Sequence, residues 1–139
     1  MTNTNYKTIA SKIKFEGRAF INGKYVDAID GEKFETINPA TGETLCSVAK
    51  CNSKDVDLAV KVSRKAFNSG VWSRTSPEFR KDILLKFAEL LRVHGVENSV
   101  LECIDTGKLI GDCINEVAND APMHFQWYGE LIDKVFGKV

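Results

Sequence analysis

The first third of the chain carries apolar residues in short runs broken by turn residues, the pattern of β-hairpins. Phe20-Ile21 and Tyr25-Val26 flank Asn22-Gly23, a pair that favours a two-residue turn in which both positions have φ > 0. A second pair of strands is predicted over residues 32–37 and 43–49, around a turn of the Asn-Pro-Ala-Thr-Gly type. We expect the four strands to form one small antiparallel patch, which needs a partner surface to be stable.

From residue 53 the apolar residues recur at helical spacing, and three helices are predicted in succession. Ser53 is the expected N-cap of the first helix and Gly70 its end, whereas Ser76-Pro77 opens the second helix and His94-Gly95 closes it. The expected apolar face of the first helix is Val56, Ala59, Val60, Ser63, Ala66 and Phe67. That of the second is Ile83, Leu84, Phe87, Ala88 and Leu91.

The third helix carries Val96, Val100, Leu101 and Ile104 and ends at Gly107. Residues 109–136 are also predicted to be helical. Pro122 either kinks one long helix or starts a second one after a cap at Asn119 or Asp120. The first 17 residues are interpreted as an N-terminal arm or a short packed helix. By pattern alone, the chain is a small antiparallel β patch followed by several amphipathic helices.

Charge and composition narrow the classes of partner. The 139-residue chain has 19 Lys plus Arg, 19 Asp plus Glu and a pI near 6.7. It therefore has no basic field for nucleic acid, which we exclude as a partner. The polar N-terminus is not followed by the apolar stretch of a signal peptide or membrane span. We expect a cytoplasmic protein that does not bind membranes.

Candidate chemistry is sparse. Cys46, Cys51, Cys103 and Cys113 lack CxxC spacing, and His94 and His124 fall on separate predicted helices, so plain thiols are favoured over a zinc or redox site. A thiol or metal protein is kept as a third hypothesis. The segment from Gly107 to Gly111 is interpreted as helix punctuation because no strand precedes it. Glu102 and Asp105 are interpreted as a solvated helix face or a local hydrogen-bonding element.

Several motifs occur in the order found at the start of one enzyme family. Residues 20–26 (Phe-Ile-Asn-Gly-Lys-Tyr-Val) and 34–43, the Asp-Thr-Gly-Lys of residues 105–108, and residues 126–137 resemble the N-terminal region of NAD(P)-dependent aldehyde dehydrogenases. The chain departs from the family at Leu109, where proline is usual, and at Gln126, where arginine is usual. Trp72-Ser73, Trp127-Tyr128 and residues 132–135 resemble the subfamily that oxidises γ-glutamyl-aminobutyraldehyde and related amino-aldehydes.

The resemblance implies the α/β aldehyde dehydrogenase fold, with residues 1–17 as an arm and residues 18–139 as an incomplete N-terminal part of the coenzyme-binding domain. The family's catalytic cysteine, general-base glutamate, oxyanion-stabilising asparagine and Gly-rich coenzyme turn lie downstream of the matched region. We therefore expect the complete parent enzyme to use NAD or NADP to oxidise an aldehyde to a carboxylic acid. We expect this chain alone to bind neither coenzyme and to be inactive.

The resemblance also implies a structural monovalent cation held by Thr36, the carbonyl of Ile37, and Asp105, oxygen ligands of the kind that hard cations take. The competing interpretation is a hydrogen bond from Asp105 at its helix end. The expected partner is the remainder of the aldehyde dehydrogenase subunit. The alternative function is a stand-alone helical interaction module, which self-associates or binds a full-length subunit through uncovered apolar faces.

Overall fold

A computed structural model describes residues 4–134 and residue 137. Its helices and strands are α1 (Tyr6–Ala10), β1 (Ala19–Ile21), β2 (Lys24–Val26), β3 (Lys33–Ile37), β4 (Thr44–Ala49), α2 (Ser53–Ser69), α3 (Pro77–Val93), α4 (Gly95–Thr106), α5 (Ile110–Cys113), a π-helical segment (Ile114–Asp120), α6 (Ala121–Leu131) and a 3-10 turn (Ile132–Lys134). They form two compact units. We call residues 14–74 the strand-helix unit, and residues 1–13 with 75–139 the helical unit.

The predicted first hairpin of the strand-helix unit is confirmed. β1 and β2 are antiparallel, with Phe20 opposite Tyr25 and Ile21 opposite Lys24. Asn22 and Gly23 form the turn with φ of 55° and 74°, the positive values that this turn requires. The rings of Phe20 and Tyr25 meet edge to face with centroids 5.1 Å apart.

β3 and β4 form the second predicted hairpin, but the prediction of one four-stranded patch is wrong. The structure has two separate two-stranded sheets. Two N–H groups between β2 and β3 bond to side chains and not to a neighbouring strand: the Ile29 N–H donates to Asp55 Oδ1 and the Glu32 N–H to Asp30 Oδ1, both at 2.9 Å. The Glu32 carbonyl, in contrast, accepts from the Lys50 N–H at 2.9 Å, next to the β3–β4 pairing.

Helix α2 begins at Ser53, one residue earlier than predicted, because its N-cap is Asn52 and not Ser53. Asn52 Oδ1 accepts from the Lys54 N–H at 2.8 Å, and Asp55 Oδ2 accepts from the Asn52 N–H at 2.9 Å. This reciprocal capping box fixes the cap, because its acidic partner must stand three residues after the capping residue. Gly70 ends the helix with φ 76°, as predicted.

Helix α3 begins as predicted, with Ser76 Oγ accepting from the Phe79 N–H at 3.2 Å and with Pro77 in the first position. It packs against α6, where a Cβ added at Gly129 would lie 3.2 Å from Leu84 Cβ. The predicted apolar face is partly wrong. Ala88 is fully buried, but Ile83 is 41% exposed, and Phe87 is 43% exposed although its ring meets that of Phe125 in α6 edge to face.

Gly95 does not close α3 as a left-handed cap; it begins α4, and His94 ends α3. Gly95 is buried, and a Cβ there would lie 2.9 Å from Ala118 Cβ and 3.0 Å from Ala118 Cα. The absence of a side chain therefore permits α4 to approach the π-helical segment closely. Gly107 does end α4 in the left-handed conformation, with φ 75°, as predicted.

The predicted interruption near Pro122 is confirmed, but its form is different. Residues 114–120 are π-helical, and the Ala121 N–H donates to the Glu116 carbonyl, five residues back. The predicted cap at Asn119 or Asp120 is wrong: Asp120 has helical φ and ψ and its side chain makes no capping bond. Residues 135 and 136, the end of that predicted helix, lie outside the described residues.

The N-terminal arm contains the short helix that was one of its two interpretations. Asn5 Oδ1 caps α1 by accepting from the Thr8 N–H at 3.1 Å, and α1 packs on α4. Residues 1–3 lie outside the described part of the chain.

Candidate functional site

The buried residues are unusually small for a chain of this composition. Among the described residues, the buried apolar side chains are alanines, one valine, one cysteine and one proline: Ala28, Ala49, Ala88, Val100, Cys113 and Pro122. Large apolar side chains stay substantially exposed, including Phe67 at 65%, Trp127 at 64% and Phe20 at 63%. Cores are normally built from leucine, isoleucine, valine and phenylalanine. The described part of this chain therefore does not enclose a core of its own large side chains.

Asp55 is the buried charged residue of the strand-helix unit, with 2% of its surface exposed. Its two oxygens accept from the Ile29 and Asn52 N–H groups, both at 2.9 Å. Asn52 is tied in turn to Asp30, whose Oδ2 accepts from Nδ2 at 2.6 Å. Each carboxylate oxygen accepts from a backbone N–H, so Asp55 joins the α2 terminus to the loop after β2.

The inner side of α2 borders an open cleft of about 280 Å³ within the strand-helix unit. The cleft is lined by Ile21, Asn22, Lys24, Val26, Asp27, Ile29, Asp55, Leu58 and Val62. Its α2 residues follow the spacing i, i+3, i+7 from Asp55. The inner side of the helix therefore faces the first hairpin.

None of the four cysteines forms a disulfide, and burial disfavours the thiolate of one of them. Cys113 is fully buried, and burial raises the pKa of its thiol, the opposite of what a catalytic thiolate requires. Cys103 Sγ contacts the Lys108 carbonyl at 3.1 Å. Cys46 is half-buried on β4 and Cys51 is exposed. In the part of the chain that the structure describes, no group of three or more His, Cys, Asp or Glu side chains could hold a metal ion.

The residues predicted to bind a monovalent cation lie in both units. Thr36 and Ile37 are adjacent on β3, where the pairing with β4 shifts register between them: Thr36 is opposite Cys46 and Ile37 opposite Thr44. Asp105 lies in the last turn of α4, in the helical unit. The shift passes over Leu45 of β4, while Thr36 and Ile37 themselves both stay paired. The cation site remains a prediction.

Beside Asp105, Lys108 ties the end of α4 to the π-helical segment. Its Nζ lies 2.6 Å from Glu116 Oε2 and 3.6 Å from Glu102 Oε1, and the hydrogen bond to Glu116 raises the pKa of the lysine. Thr106 Oγ1 donates to the Glu102 carbonyl at 2.7 Å. Glu102, interpreted from sequence as part of a solvated face or of a local hydrogen-bonding element, is thus one of two carboxylates near Lys108.

Gln126, where the family usually has arginine, bridges two charged residues of the helical unit. Its Oε1 accepts from Arg92 Nη2, and its Nε2 donates to Glu130 Oε1 at 2.8 Å. An amide can accept from a guanidinium and donate to a carboxylate at once, whereas an arginine can only donate. Glutamine at position 126, the departure from the family pattern, can therefore pair with Arg92 and Glu130 at the same time.

The chain's similarity to known proteins decides the family. The aldehyde dehydrogenase family matches residues 25–139. This chain belongs to the aldehyde dehydrogenase family. It is 40% identical over 136 residues to the aminoacetaldehyde dehydrogenase of Pseudomonas aeruginosa, covering 98% of this chain and 27% of that protein. It is 41% identical over 130 residues to the NADP/NAD-dependent aldehyde dehydrogenase PuuC of Escherichia coli, covering 94% of this chain and 26% of that protein.

The fold agrees with this membership. A crystal structure of the γ-glutamyl-γ-aminobutyraldehyde dehydrogenase of Burkholderia cenocepacia matches 96% of this chain and 27% of that chain, with a TM-score of 0.92 and 42% identity. The aldehyde dehydrogenase fold expected from the resemblance is confirmed, and so is the similarity to amino-aldehyde dehydrogenases. The chain spans about a quarter of the length of these relatives. Within the described residues, no helix is both long and apolar enough to cross a membrane.

Proposed function

We propose that this chain is the N-terminal scaffold segment of an NAD(P)-dependent aldehyde dehydrogenase and is inactive by itself. The observation that carries the proposal is the small size of its buried residues. Valine is the largest aliphatic side chain buried in the described residues, while phenylalanines and tryptophans stay exposed. A segment that forms part of a larger subunit would have its large apolar side chains covered by the rest of that subunit.

The chemistry of the segment supports a structural role. Aldehyde oxidation in a cysteine enzyme starts from a thiolate that attacks the carbonyl carbon. The burial that raises the pKa of Cys113 disfavours its thiolate. In this proposal the nucleophile, the general base and the NAD or NADP site are supplied by downstream parts of the polypeptide, and this segment alone binds no coenzyme.

The proposed substrate class is amino-aldehydes. Two similar proteins are named for such substrates, the aminoacetaldehyde dehydrogenase of P. aeruginosa and the γ-glutamyl-γ-aminobutyraldehyde dehydrogenase of B. cenocepacia. The cation site at Thr36, Ile37 and Asp105 is part of the same proposal, and so is the domain interpretation that residues 18–139 belong to an incomplete coenzyme-binding domain. The cytoplasmic location expected from the sequence also remains a prediction.

A fusion experiment tests the proposed function. The 139-residue chain is joined to the part of the P. aeruginosa relative that follows its matched region, and NAD(P)-dependent oxidation of an amino-aldehyde panel is measured. The controls are the chain alone and the downstream part alone. We expect aldehyde oxidation by the fusion and by neither control. Aldehyde oxidation by the 139-residue chain alone would overturn the proposal, because the proposal assigns the nucleophile to the downstream part.

The alternative, a stand-alone helical module, has no support from the comparisons, which match the chain to segments of aldehyde dehydrogenases. Size-exclusion chromatography of the chain at two concentrations distinguishes the two functions. A defined oligomer that forms reversibly would favour the module. Non-specific association through uncovered apolar surface would favour the scaffold segment.

A further inference from the structure

The turn of the first hairpin is the one place in the sequence where an asparagine precedes a glycine. Asn22 and Gly23 lie outside the strand pairing, which ends with Ile21 opposite Lys24, and both turn residues are exposed. A Cβ added at Gly23 would meet no atom within 4 Å. The peptide nitrogen that follows Asn22 is therefore shielded neither by a side chain of its own residue nor by more distant parts of the chain.

The side-chain amide of Asn22 is also unrestrained. Asn38 Oδ1 accepts from the Ala40 N–H at 2.9 Å, and Asn52 is bonded through both Oδ1 and Nδ2. Asn38 also precedes a proline, which has no N–H. Within residues 4–134, in contrast, the Asn22 amide forms no hydrogen bond. Its Cγ is therefore accessible to the nitrogen of the next residue.

The hairpin that carries this turn can open at low cost. Each of its two strands has three residues, and its sheet is separate from that of β3 and β4. A two-stranded hairpin of this size is marginally stable by itself, and local opening of such an element costs far less than global unfolding. Asn22 can therefore leave its left-handed conformation, with φ 55°, and bring its Cγ to the Gly23 nitrogen.

We propose that Asn22 is a site of spontaneous modification, at which the chain converts its own amide into aspartate or isoaspartate. The Gly23 nitrogen loses its proton to solvent and attacks Asn22 Cγ. The new C–N bond closes a five-membered imide as the Cγ–Nδ2 bond breaks, and the leaving nitrogen takes up a proton and departs as ammonia. Water then opens the imide: attack at Cγ gives aspartate, and attack at the former backbone carbonyl gives isoaspartate. The reaction consumes only water.

The two products have different effects on the hairpin. Aspartate tolerates the left-handed conformation as asparagine does, so the turn is kept. Isoaspartate leads the main chain through Cγ and adds one carbon atom to the backbone, so a two-residue turn no longer holds Phe20 opposite Tyr25. The edge-to-face contact of these rings, and the position of Arg18 over Tyr25 at 5.5 Å from its centroid, are then lost. The inference is independent of the proposed function, because it depends only on the first hairpin.

Ageing of the full 139-residue chain tests the modification. The chain is incubated in mildly acidic and in mildly alkaline buffer and digested with trypsin, which cuts after Arg18 and Lys24 and isolates residues 19–24. Mass spectrometry measures the replacement of amide by carboxylate, and an isoaspartate-specific methyltransferase labels the isomer. We expect modification at Asn22 to be at least about tenfold faster than at the exposed Asn68, which precedes a serine within α2. It should also be faster in alkaline buffer, since the attacking nitrogen must lose its proton.

A synthetic peptide of residues 19–24 provides the rate without the hairpin. We expect the folded chain to react at more than about a tenth of the peptide's rate. A slower reaction would mean that the turn protects the amide, and it would overturn the inference. So would equal rates at Asn22 and Asn68 in the folded chain.

Two variants test the effect on the hairpin, which is followed by NMR contacts between the Phe20 and Tyr25 rings. These contacts should weaken as the unsubstituted chain ages. Asn22→Gly keeps a Gly-Gly turn but has no amide to lose, so its ring contacts should not change with age. Freshly prepared Asn22→Asp carries the new charge without the added backbone atom and should keep the contacts. Loss of the contacts in either variant would show that isoaspartate is not the cause, and would overturn the assigned effect.

Discussion

Each of the two units of this chain is stabilised internally in a different way. In the helical unit, helices approach closely where side chains are small or absent: Gly95 against Ala118 and Gly129 against Leu84. In the strand-helix unit, long-range hydrogen bonds join distant segments: the buried Asp55 carboxylate accepts from the Ile29 N–H, and the Gly17 carbonyl accepts from the Ala49 N–H. Close packing depends on shape and buried polar ties depend on complete pairing. The two units should therefore fail for different reasons, and substitutions that target each reason can show whether they also fail separately.

The largest loss of stability is expected from a substitution at Gly17 in the strand-helix unit. A Cβ at this position would lie 2.0 Å from the Ser47 carbonyl oxygen, and the Gly17 carbonyl accepts from the Ala49 N–H at 2.7 Å. Gly17→Ala must therefore push the chain off β4, at a cost of about 3 kcal/mol or more. Hydrogen exchange should show lost protection in β4 and α2 but not in α3 and α6.

The matched control is Gly111→Ala, where an added Cβ meets no atom within 4 Å and alanine has the higher helix propensity. It should leave stability unchanged or slightly raised. An equal loss of protection in both units of the Gly17→Ala variant would mean that they unfold as one, and would remove the basis for comparing them.

The next effect is expected at Asp55. Asp55→Ala leaves the Ile29 and Asn52 N–H groups without their acceptor and removes half of the capping box, which should cost about 2–4 kcal/mol. Urea unfolding followed by circular dichroism measures this cost. Asp57→Ala is the control, since Asp57 is exposed two residues further along α2 and should change stability by less than about 0.5 kcal/mol. Similar losses in both variants would show that helix charge, and not the buried tie, is the determinant.

Gly17 and Asp55 also show which features of the fold could be predicted from the sequence and which could not. The Asn22-Gly23 hairpin, the Ser76-Pro77 helix start and the Gly70 and Gly107 ends were predictable because each depends on the backbone preferences of neighbouring residues. The choice of Asn52 over Ser53 as a cap was not, since both are good capping residues and only the bond to Asp55 decides between them. The role of Gly17 depends on β4, 30 residues later, and leaves no local signal.

The same distinction applies to the candidate sites. The motifs resembling aldehyde dehydrogenases identify the family, and they name Thr36, Ile37 and Asp105 as cation ligands. They cannot tell which side of a helix is covered: Ile83 and Phe87 were expected in the core and are more than two-fifths exposed. Burial depends on partners that helical spacing does not reveal. Val56, Val60 and Phe67, predicted as part of the apolar face of α2, are likewise more than half exposed, and only the structure shows this.

A smaller effect is expected at Gly95 in the helical unit. Gly95→Ala places a Cβ 2.9 Å from the Ala118 Cβ, so the π-helical segment must shift by a few tenths of an ångström. We expect a loss of about 1–3 kcal/mol, partly offset by the better helix propensity of alanine. Hydrogen exchange should show the loss in α4 and the π-helical segment, with β3 and β4 unchanged. Substitution of Ala118 by glycine in the same chain should restore stability, and failure of this rescue would argue against the contact as the cause.

The smallest effect compares one exposed ion pair from each unit. The hydrogen bond from Arg18 lowers the pKa of Glu16 from 4.5 to about 2, and hydrogen bonds from Lys134 and then Lys81 lower the pKa of Asp133 from 3.8 to about 2. Because both pKa values are depressed, each pair favours the folded state above the ordinary carboxyl pKa. That contribution is lost as the pH falls towards 2. Both groups are exposed, so the effect on stability is small and the titrations themselves are the better measurement.

Carboxyl NMR titration of the Arg18→Gln variant should move the Glu16 midpoint back towards 4.5 and leave Asp133 near 2. Lys81→Gln should raise the Asp133 midpoint only partly, because Lys134 Nζ still lies 2.8 Å from Oδ1, and it should leave Glu16 unchanged. Added salt should raise both midpoints in the unsubstituted chain by screening the pairs. If either variant moved the midpoint in the other unit, the electrostatics of the two units would be coupled, and the polar ties could not be assigned to the strand-helix unit alone.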